Sequence, residues 1–555
     1  MSITAATFAQ VGFQELSARE RLAALFDGEC FTELVGPFDR LGSPWLAPQG
    51  LVPQSDDGVV VGRGMIDEKE VVGIAIVGSF EGGSIGEAGG AKLAAALELA
   101  TKSSREGRPV SAVLLLETGG VRLQEATLGL ASIAAIQSAI IELRQHTAVV
   151  AVIAGPVGCF GGMSLAAALC TQIVGTPYGR LGMNGPEVIE QEAGPDEVDA
   201  ADREAVWQMV GCEARYHAGW IDELTEDDPS TLRESVRKAL QKGPRESFRV
   251  LRAAEHLHAL HEQFPRATSA TASFAGRGAT WLQALSNDSV HMAFQVPSIL
   301  SGDVPLPGLE EPAFALCMTQ DPGSALPRAS HGELGLEQSW ALSACIDQFV
   351  SAQRERGTQR PILCIVDSPG QAYGRIEEQR CISAAAASVV DAYARARRAG
   401  HKVITLVVGR AVSGSFLAHG FQSDHILALA NTDVSMYAMS AQSIARITRR
   451  SLAAVEEAAA AALPMSFAIA DAHRLGIIQT LIHDVNGSQP SVDDADRVKA
   501  NLAEATQQEN AEQVKLEAIA NSPFRKTTLA VRRAMSEQWL ALDTEVRDHQ
   551  VTAEV

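Results

Sequence analysis

Thr118, Gly119 and Gly120 follow the apolar run VSAVLLL, and Gly155, Gly158, Gly161 and Gly162 surround a second turn that opens the run MSLAAALC. Glycine lets the backbone approach a neighbour closely and aim bare N–H groups at it. A strand end and a helix N-terminus brought together would supply two sets of backbone donors, which is what an oxyanion hole requires. Such donors suit a thioester oxygen that takes on negative charge. The same glycines could serve only close helix–strand packing, and spacing alone leaves both readings open. The second half repeats the arrangement, with Asp367, Ser368, Pro369 and Gly370 at one turn and Ser413, Gly414 and Ser415 at the other. Repetition of so particular a pair of turns favours function, as two sites or as one site built from two halves.

Other chemistry-bearing residues have weaker claims. The stretch GSFEGGSIGEAGGAKLAAALELA (78–100) places Gly82 and Gly83 ahead of a helix that begins near Lys92. It lacks the G-x-G-x-x-G order and the ribose-binding acid of a dinucleotide site, so it reads as a cradle for a phosphate or pantetheine arm, or as a mobile loop. Ser164, and Ser413 with His419, lack the third orienting group of a hydrolase triad, and serine at a helix start is more often a cap. His217, His425 and His473 read as structural. Glu125 and Glu187 are candidate acid/base groups with no evident partner carboxylate.

The elements that must carry these turns occur twice. SAVLLLETGG, LGLASIAAIQSAIIELRQ, AVVAVIAGP, VGCFGGMSLAAALC and QIVGTP read as strand, helix, strand, turn and strand. PILCIVDSPGQ, AAAASVVDAYARARRAG, KVITLVVGR, AVSGSFLAHGF and SDHILAL follow in the same order. Each half closes on a similar phrase, ARYHAGWIDEL and ADAHRLGIIQTL. Strands alternating with helices imply parallel β-α-β units with ligands at the strand C-termini. The fold expected is α/β, two homologous domains in tandem. Between them, residues from about 265 to 314 gain Pro, Gly, Ser and Thr, a linker composition. AAVEEAAAAALP (453–464) reads as a packing helix, and the polar, acidic end as a solvated helix with little chemistry.

Composition bounds the function. A net charge of −21 over 555 residues opposes nucleic-acid and anionic-membrane binding. No apolar run is read as reaching the roughly 20 residues of a membrane span, and the N-terminus does not resemble a secretory signal, so a cytoplasmic location is expected. Eight cysteines without a C-x-x-C pair read as reduced core thiols rather than a zinc site.

The motifs ETGGVRLQEA, GPVGCFGGMSLA, GMNGPEVIE and GGSIGEAGGAK resemble the acyl-thioester half of crotonase-fold carboxyltransferases. Residues 1–235 resemble the beta subunit of malonate decarboxylases, and residues 305–485, with IVDSPGQAYGRIEEQ and VGRAVSGSFLAHGFQSDHILAL, resemble the gamma subunit. Residues 236–304 are then a helical segment and linker, and 486–555 a polar helical tail. The resemblance implies two crotonase-like β-β-α domains of the ClpP/crotonase superfamily. It also implies decarboxylation of a malonyl thioester on an acyl carrier protein to acetyl thioester and carbon dioxide, without metal, biotin or directly bound cofactor. The partners implied are the carrier protein, with its phosphopantetheine-type arm, and a transferase subunit that exchanges acetyl for malonyl; a homo-oligomer is expected. Carried over by motif, the amides of Gly119, Gly120, Gly162 and Met163 would bind the thioester oxygen. Ser413, Gly414 and Ser415 would face the departing carboxylate, where biotin-dependent relatives hold biotin. Thr118, Val121, Gly158, Gly161, Gly82, Gly83, Lys92, Ser368 and Gly370 would line the substrate. A biotin-dependent carboxyltransferase and a non-catalytic scaffold are the rival readings, and the proton donor is unassigned.

Overall fold

A computed structural model of the chain describes residues 11–245, 252–266, 272–287, 289–509 and 511–553. Part of the stretch judged unlike a secretory signal, residues 1–10, lies outside them, as do 267–271 of the linker.

The first sheet runs β1 (Phe31–Leu34), β2 (Val59–Ile66), β3 (Lys69–Ile76), β4 (Ser111–Leu115), β5 (Val149–Ile153), β6 (Gln172–Gly175) and β7 (Glu223–Leu224), in that spatial order. β1 to β3 pair antiparallel and the rest parallel. The β2–β3 hairpin closes through Asp67 and Glu68, both with positive φ, the conformation that a two-residue turn between right-twisted strands requires. β4 and β5 are buried along their whole length, as expected of strands covered on both faces.

The second sheet repeats the plan. β8 (Val290–Met292), β9 (Ile299–Val304) and β10 (Ala313–Met318) form an antiparallel edge. β11 (Ile362–Ser368), β12 (Val403–Val412), β13 (His425–Leu429) and β15 (Thr480–Ile482) continue in parallel, with β14 (Ser435–Tyr437) paired to the end of β12. β8 and β9, with helix Arg277–Ser286, fall in the segment read as linker, and helix Ala253–Gln263 in the helical segment ahead of it. The two strands are short, and Gly302 interrupts β9, so neither carries a visible period.

Helices α1 (Glu87–Arg105), α2 (Ala126–Leu143) and α3 (Gly162–Leu169) cover the first sheet; α4 (Leu336–Arg356), α5 (Ile382–Arg398) and α6 (Ser413–Ala418) are their second-half counterparts. Residues Leu123–Leu143 are in fact long and apolar enough to cross a membrane by length and composition, yet 78% of their most apolar 18-residue window is buried inside the protein. α2 is apolar on all sides because α1, α3 and the second half surround it. One contiguous core runs through both halves.

The C-terminal segment differs from its sequence reading. After α7 (Ala511–Asn521), α8 (Lys526–Ala553) crosses back onto the first half and packs along α1. Val531, Met535 and Trp539 are buried, Arg532 pairs with Glu98 through both guanidinium nitrogens, and Trp539 Nε1 donates to Ser103 Oγ at 3.1 Å. Its apolar stripe is thin, so the polar majority masked a docking helix.

Candidate active site

The first pair of turns is stitched together by backbone. Thr118 N–H donates to Gly158 O (2.7 Å) and Phe160 N–H to Thr118 O (2.9 Å), which sets the end of β4 against the entry to α3. A methyl on Gly120 would lie 3.2 Å from Gly161 Cα, so the contact needs two glycines. Gly161, the residue ahead of α3, has φ 62° and ψ −149°, a conformation costly for any residue with a Cβ. It turns the chain so that α3 begins with its amides unspent. Ser164 N–H donates to Gly161 O, whereas Gly162 and Met163 N–H have no acceptor among the described residues. Two bare donors at the positive end of a helix are an anion-stabilising arrangement.

The expected donor set is therefore narrower in the structure. Gly119 N–H donates to Gly82 O (2.9 Å) and Gly120 N–H to Thr118 Oγ1 (3.0 Å), so both are spent within the turn. Gly82 and Gly83 do pack beside Gly119, but as structural partners: a methyl on Gly83 would lie 2.0 Å from Glu117 O. Gly119 and Gly82 are exposed, which leaves this side of the turn open to solvent. Val121 is half-buried, and its backbone bridges to Ile85. Gly158, with φ 83°, closes against Arg180. Lys92 faces no ligand: it is fully buried, donates to Asp56 O and Val59 O, and burial pulls its pKa down to about 8. Ser164 Oγ caps Gly161 O at 2.7 Å.

The second pair of turns matches the first residue for residue. Ile85 N–H donates to Gly120 O and Arg122 N–H to Ile85 O; Leu334 N–H donates to Gly370 O and Ala372 N–H to Leu334 O. Gly120 thus corresponds to Gly370 and Val121 to Gln371, and the bridges Thr118–Cys159 and Ser368–Ala411, with the positive φ of Gly161 and Ser413, set Gly161, Gly162 and Met163 against Ser413, Gly414 and Ser415. Ser413 has φ 51° and is half-buried. Ser415 and Ser368 are buried and bonded to each other at 2.8 Å, and Ser368 Oγ also donates to Gly332 O, so neither hydroxyl is presented to a ligand. His419 lies away from Ser413, bonded to Tyr393 OH, with burial lowering its pKa to about 4. The hydrolase pairing is absent.

The two turns meet within one chain. A methyl on Gly162 would lie 2.4 Å from Leu417 Cδ1 of α6, and one on Gly414 would lie 2.0 Å from Met183 Cε. Around this contact Asn184 donates Nδ2 to Ala372 O (3.0 Å) and accepts from Gln371 Nε2 (2.9 Å). Glu378, fully buried, accepts from Met183 N (3.1 Å), Asn184 N (2.7 Å) and Arg215 Nη2 (3.4 Å). Burial raises the pKa of Glu378 and Arg215 opposes it. Its neighbour Glu377 accepts from Leu336 N through one oxygen, has no partner on the other, and is pushed by burial up to about 8. Glu125 pairs with Arg122 beside Asp57; burial first, then Asp57, raise it to about 7. Glu187 is exposed. No group of His, Cys, Asp and Glu suited to a metal occurs among the described residues, and the eight cysteines are free, seven of them buried.

Sequence reasoning missed Met183, Asn184, Arg215, Gln371 and Glu378. Four of them sit within motifs that carry the family resemblance, GMNGPEVIE and SPGQAYGRIEEQ, but only their position across the contact between halves reveals what they do.

Two α/β halves of one plan meet at a junction that holds a helix N-terminus from each, and the first half carries the domain of the carboxyl transferase class. The carboxyl transferase domain model matches residues 14–261, and the malonate decarboxylase gamma subunit model matches residues 329–539. The malonyl-S-ACP:biotin-protein carboxyltransferase MADC of Malonomonas rubra is 40% identical over 262 residues, covering 45% of this chain and 82% of that protein. Its companion MADD is 34% identical over 169 residues, covering 29% of this chain and 56% of that protein, just over half its length. A subunit of the Pseudomonas malonate decarboxylase hetero-tetramer crystallised with malonate is 53% identical, covering 46% of this chain and 94% of that one at a TM-score of 0.45. The chain belongs to the malonate decarboxylase family of carboxyl transferase-fold subunits, with a beta-like first half and a gamma-like second half on one polypeptide.

Proposed function

We propose that the chain decarboxylates a malonyl thioester on an acyl carrier protein, giving the acetyl thioester and carbon dioxide, without biotin. The carrying observation is the unspent amide pair, Gly162 and Met163, at the start of α3. In the reaction the bond between the methylene carbon and the carboxyl carbon breaks, and its electron pair moves onto the thioester oxygen. An enolate results. Two amides aimed at that oxygen stabilise it more than the starting carbonyl, and one such donor is typically worth about 2.7–4 kcal/mol. The carboxylate lies towards the Ser413–Ser415 turn, where Met183 and Leu417 exclude water and favour its loss. A proton then returns to the methylene carbon; water is the simplest source.

Residues 1–235 are proposed as the thioester domain and 305–485 as the gamma-like domain, with the carrier protein reaching the exposed side of Gly82 and Gly119 by its phosphopantetheine-type arm. A transferase subunit, a homo-oligomer and a cytoplasmic location complete the reading. The names of the Malonomonas relatives favour a second reading, carboxyl transfer to a biotin protein. Carbon dioxide release from malonyl-loaded carrier protein, with and without avidin, separates them: avidin-insensitive release supports decarboxylation, and release that requires a biotinylated partner supports transfer. Assembly with the partners but no turnover in either assay would leave the scaffold reading.

A further inference from the structure

The two halves offer an internal comparison, because the Gly162 and Gly414 amides are equivalent, as are Val121 and Gln371, the residues that follow the strand-end glycines. In the first half that residue is Val121, which can accept no hydrogen bond through its side chain, and Gly162 N–H is left without an acceptor among the described residues. In the second half it is Gln371, whose Oε1 accepts Gly414 N–H at 3.1 Å. Gln371 is 6% exposed and its side-chain amide is held in one orientation. Its Nε2 donates to Asn184 Oδ1, and Asn184 is fixed in turn because its own Nδ2 donates to Ala372 O and Glu378 Oε1. Since Gly414 offers only a donor, the oxygen of Gln371 must face it.

We propose that Gln371 is a specificity-determining residue whose amide oxygen stands in for a substrate carbonyl at the second turn and closes that turn to a ureido ring. A primary amide and a cyclic urea present the same kind of acceptor, a planar carbonyl oxygen flanked by nitrogen, so one excludes the other from the same N–H. The inference deepens the decarboxylase reading and rests on it for the purpose of the closure: with the second donor occupied from within, a carboxyl group released at the junction has no ureido nitrogen to receive it. The pinning by Asn184 and Glu378 keeps the side chain in place at the cost of two buried polar residues, which must be hydrogen-bonded to be tolerated.

The test is binding of free biotin to the full chain by calorimetry, which requires no turnover. Wild type is expected to bind none. Gln371→Ala removes the amide and leaves Gly414 N–H open, and Gln371→Val installs the first-half residue; binding by either, tighter than wild type by at least about tenfold for the one hydrogen bond gained, supports the inference. Asn184→Ala releases the pin but keeps the Gln371 amide as a competitor for Gly414 N–H, so it is expected to bind biotin more weakly than the Gln371 variants. Biotin binding by wild type, equal binding by Asn184→Ala, or none by a Gln371 variant that melts cooperatively overturns the proposal. Avidin-insensitive carbon dioxide release together with no binding by the Gln371 variants would discard this inference and keep the decarboxylase reading. The reverse pair of results would do the opposite.

Discussion

Gly162→Ala probes the amide pair directly. The added methyl would sit 2.4 Å from Leu417 Cδ1 and 2.9 Å from Ile133 Cγ2, whereas carbons in contact rest at about 3.5–4.0 Å. Either the second half or the start of α3 must give by about 1 Å. Overpacking of this kind costs roughly 1–3 kcal/mol of stability. If α3 moves, the donors leave the enolate oxygen, and losing one should lower kcat by about 10²–10³-fold. Leu417→Ala removes the closer of the two clashing side chains, so the double variant should recover part of that loss relative to Leu417→Ala alone, a coupling that a double-mutant cycle measures. Kinetics with malonyl-loaded carrier protein, paired with thermal melts, read both effects. Wild-type kcat in a destabilised Gly162→Ala chain would refute the expectation that α3, rather than the second half, yields to the methyl. Absence of any coupling with Leu417 would refute the packing half.

Gly161→Ala should be damaging for a different reason: φ 62° with ψ −149° admits only glycine, so at least about tenfold in kcat should be lost even with Leu417 truncated. Glu377 links stability to pH. Its carboxyl is raised from 4.5 to about 8 in the folded chain, so between those values the unfolded chain releases a proton that the folded chain keeps, and stability falls as pH rises. Gln at this position should therefore melt higher than wild type at pH 8, the difference shrinking towards pH 4.5; an equal gap at both pH values would contradict the assignment. Trp539→Ala should cost about 3–5 kcal/mol in denaturant melts, the penalty for emptying a buried aromatic site, although the residue lies in a segment of polar composition.

The paired α/β halves were legible because strands β4, β5, β11 and β12 are long apolar runs that end in glycine or serine, and a repeated pattern is visible without knowing the contacts. The turns around Gly120 and Gly161 were legible for the same reason. Which amides in them are free was not: Gly119 N–H is taken by Gly82, a partner 37 positions away, and no local pattern records that bond. Lys92 looked available because it stands beside glycines, yet the helix turns it into the core. α8 was hidden because its buried apolar residues Val531, Met535 and Trp539 leave a faint stripe among polar ones, and β8 and β9 because they are three and six residues long and Gly302 interrupts β9. The residues that join the halves, Asn184, Gln371 and Glu378, are polar groups whose meaning exists only across the contact between domains.

The decisive measurement is carbon dioxide release by the purified chain from malonyl-loaded carrier protein, run in parallel with excess avidin. Release at the same rate in both is the outcome that a biotin-free enolate held by the α3 amides demands, and a fall by about 10²-fold or more in Gly162→Ala is expected as α3 yields to the methyl. Release abolished by avidin would contradict the biotin-free route.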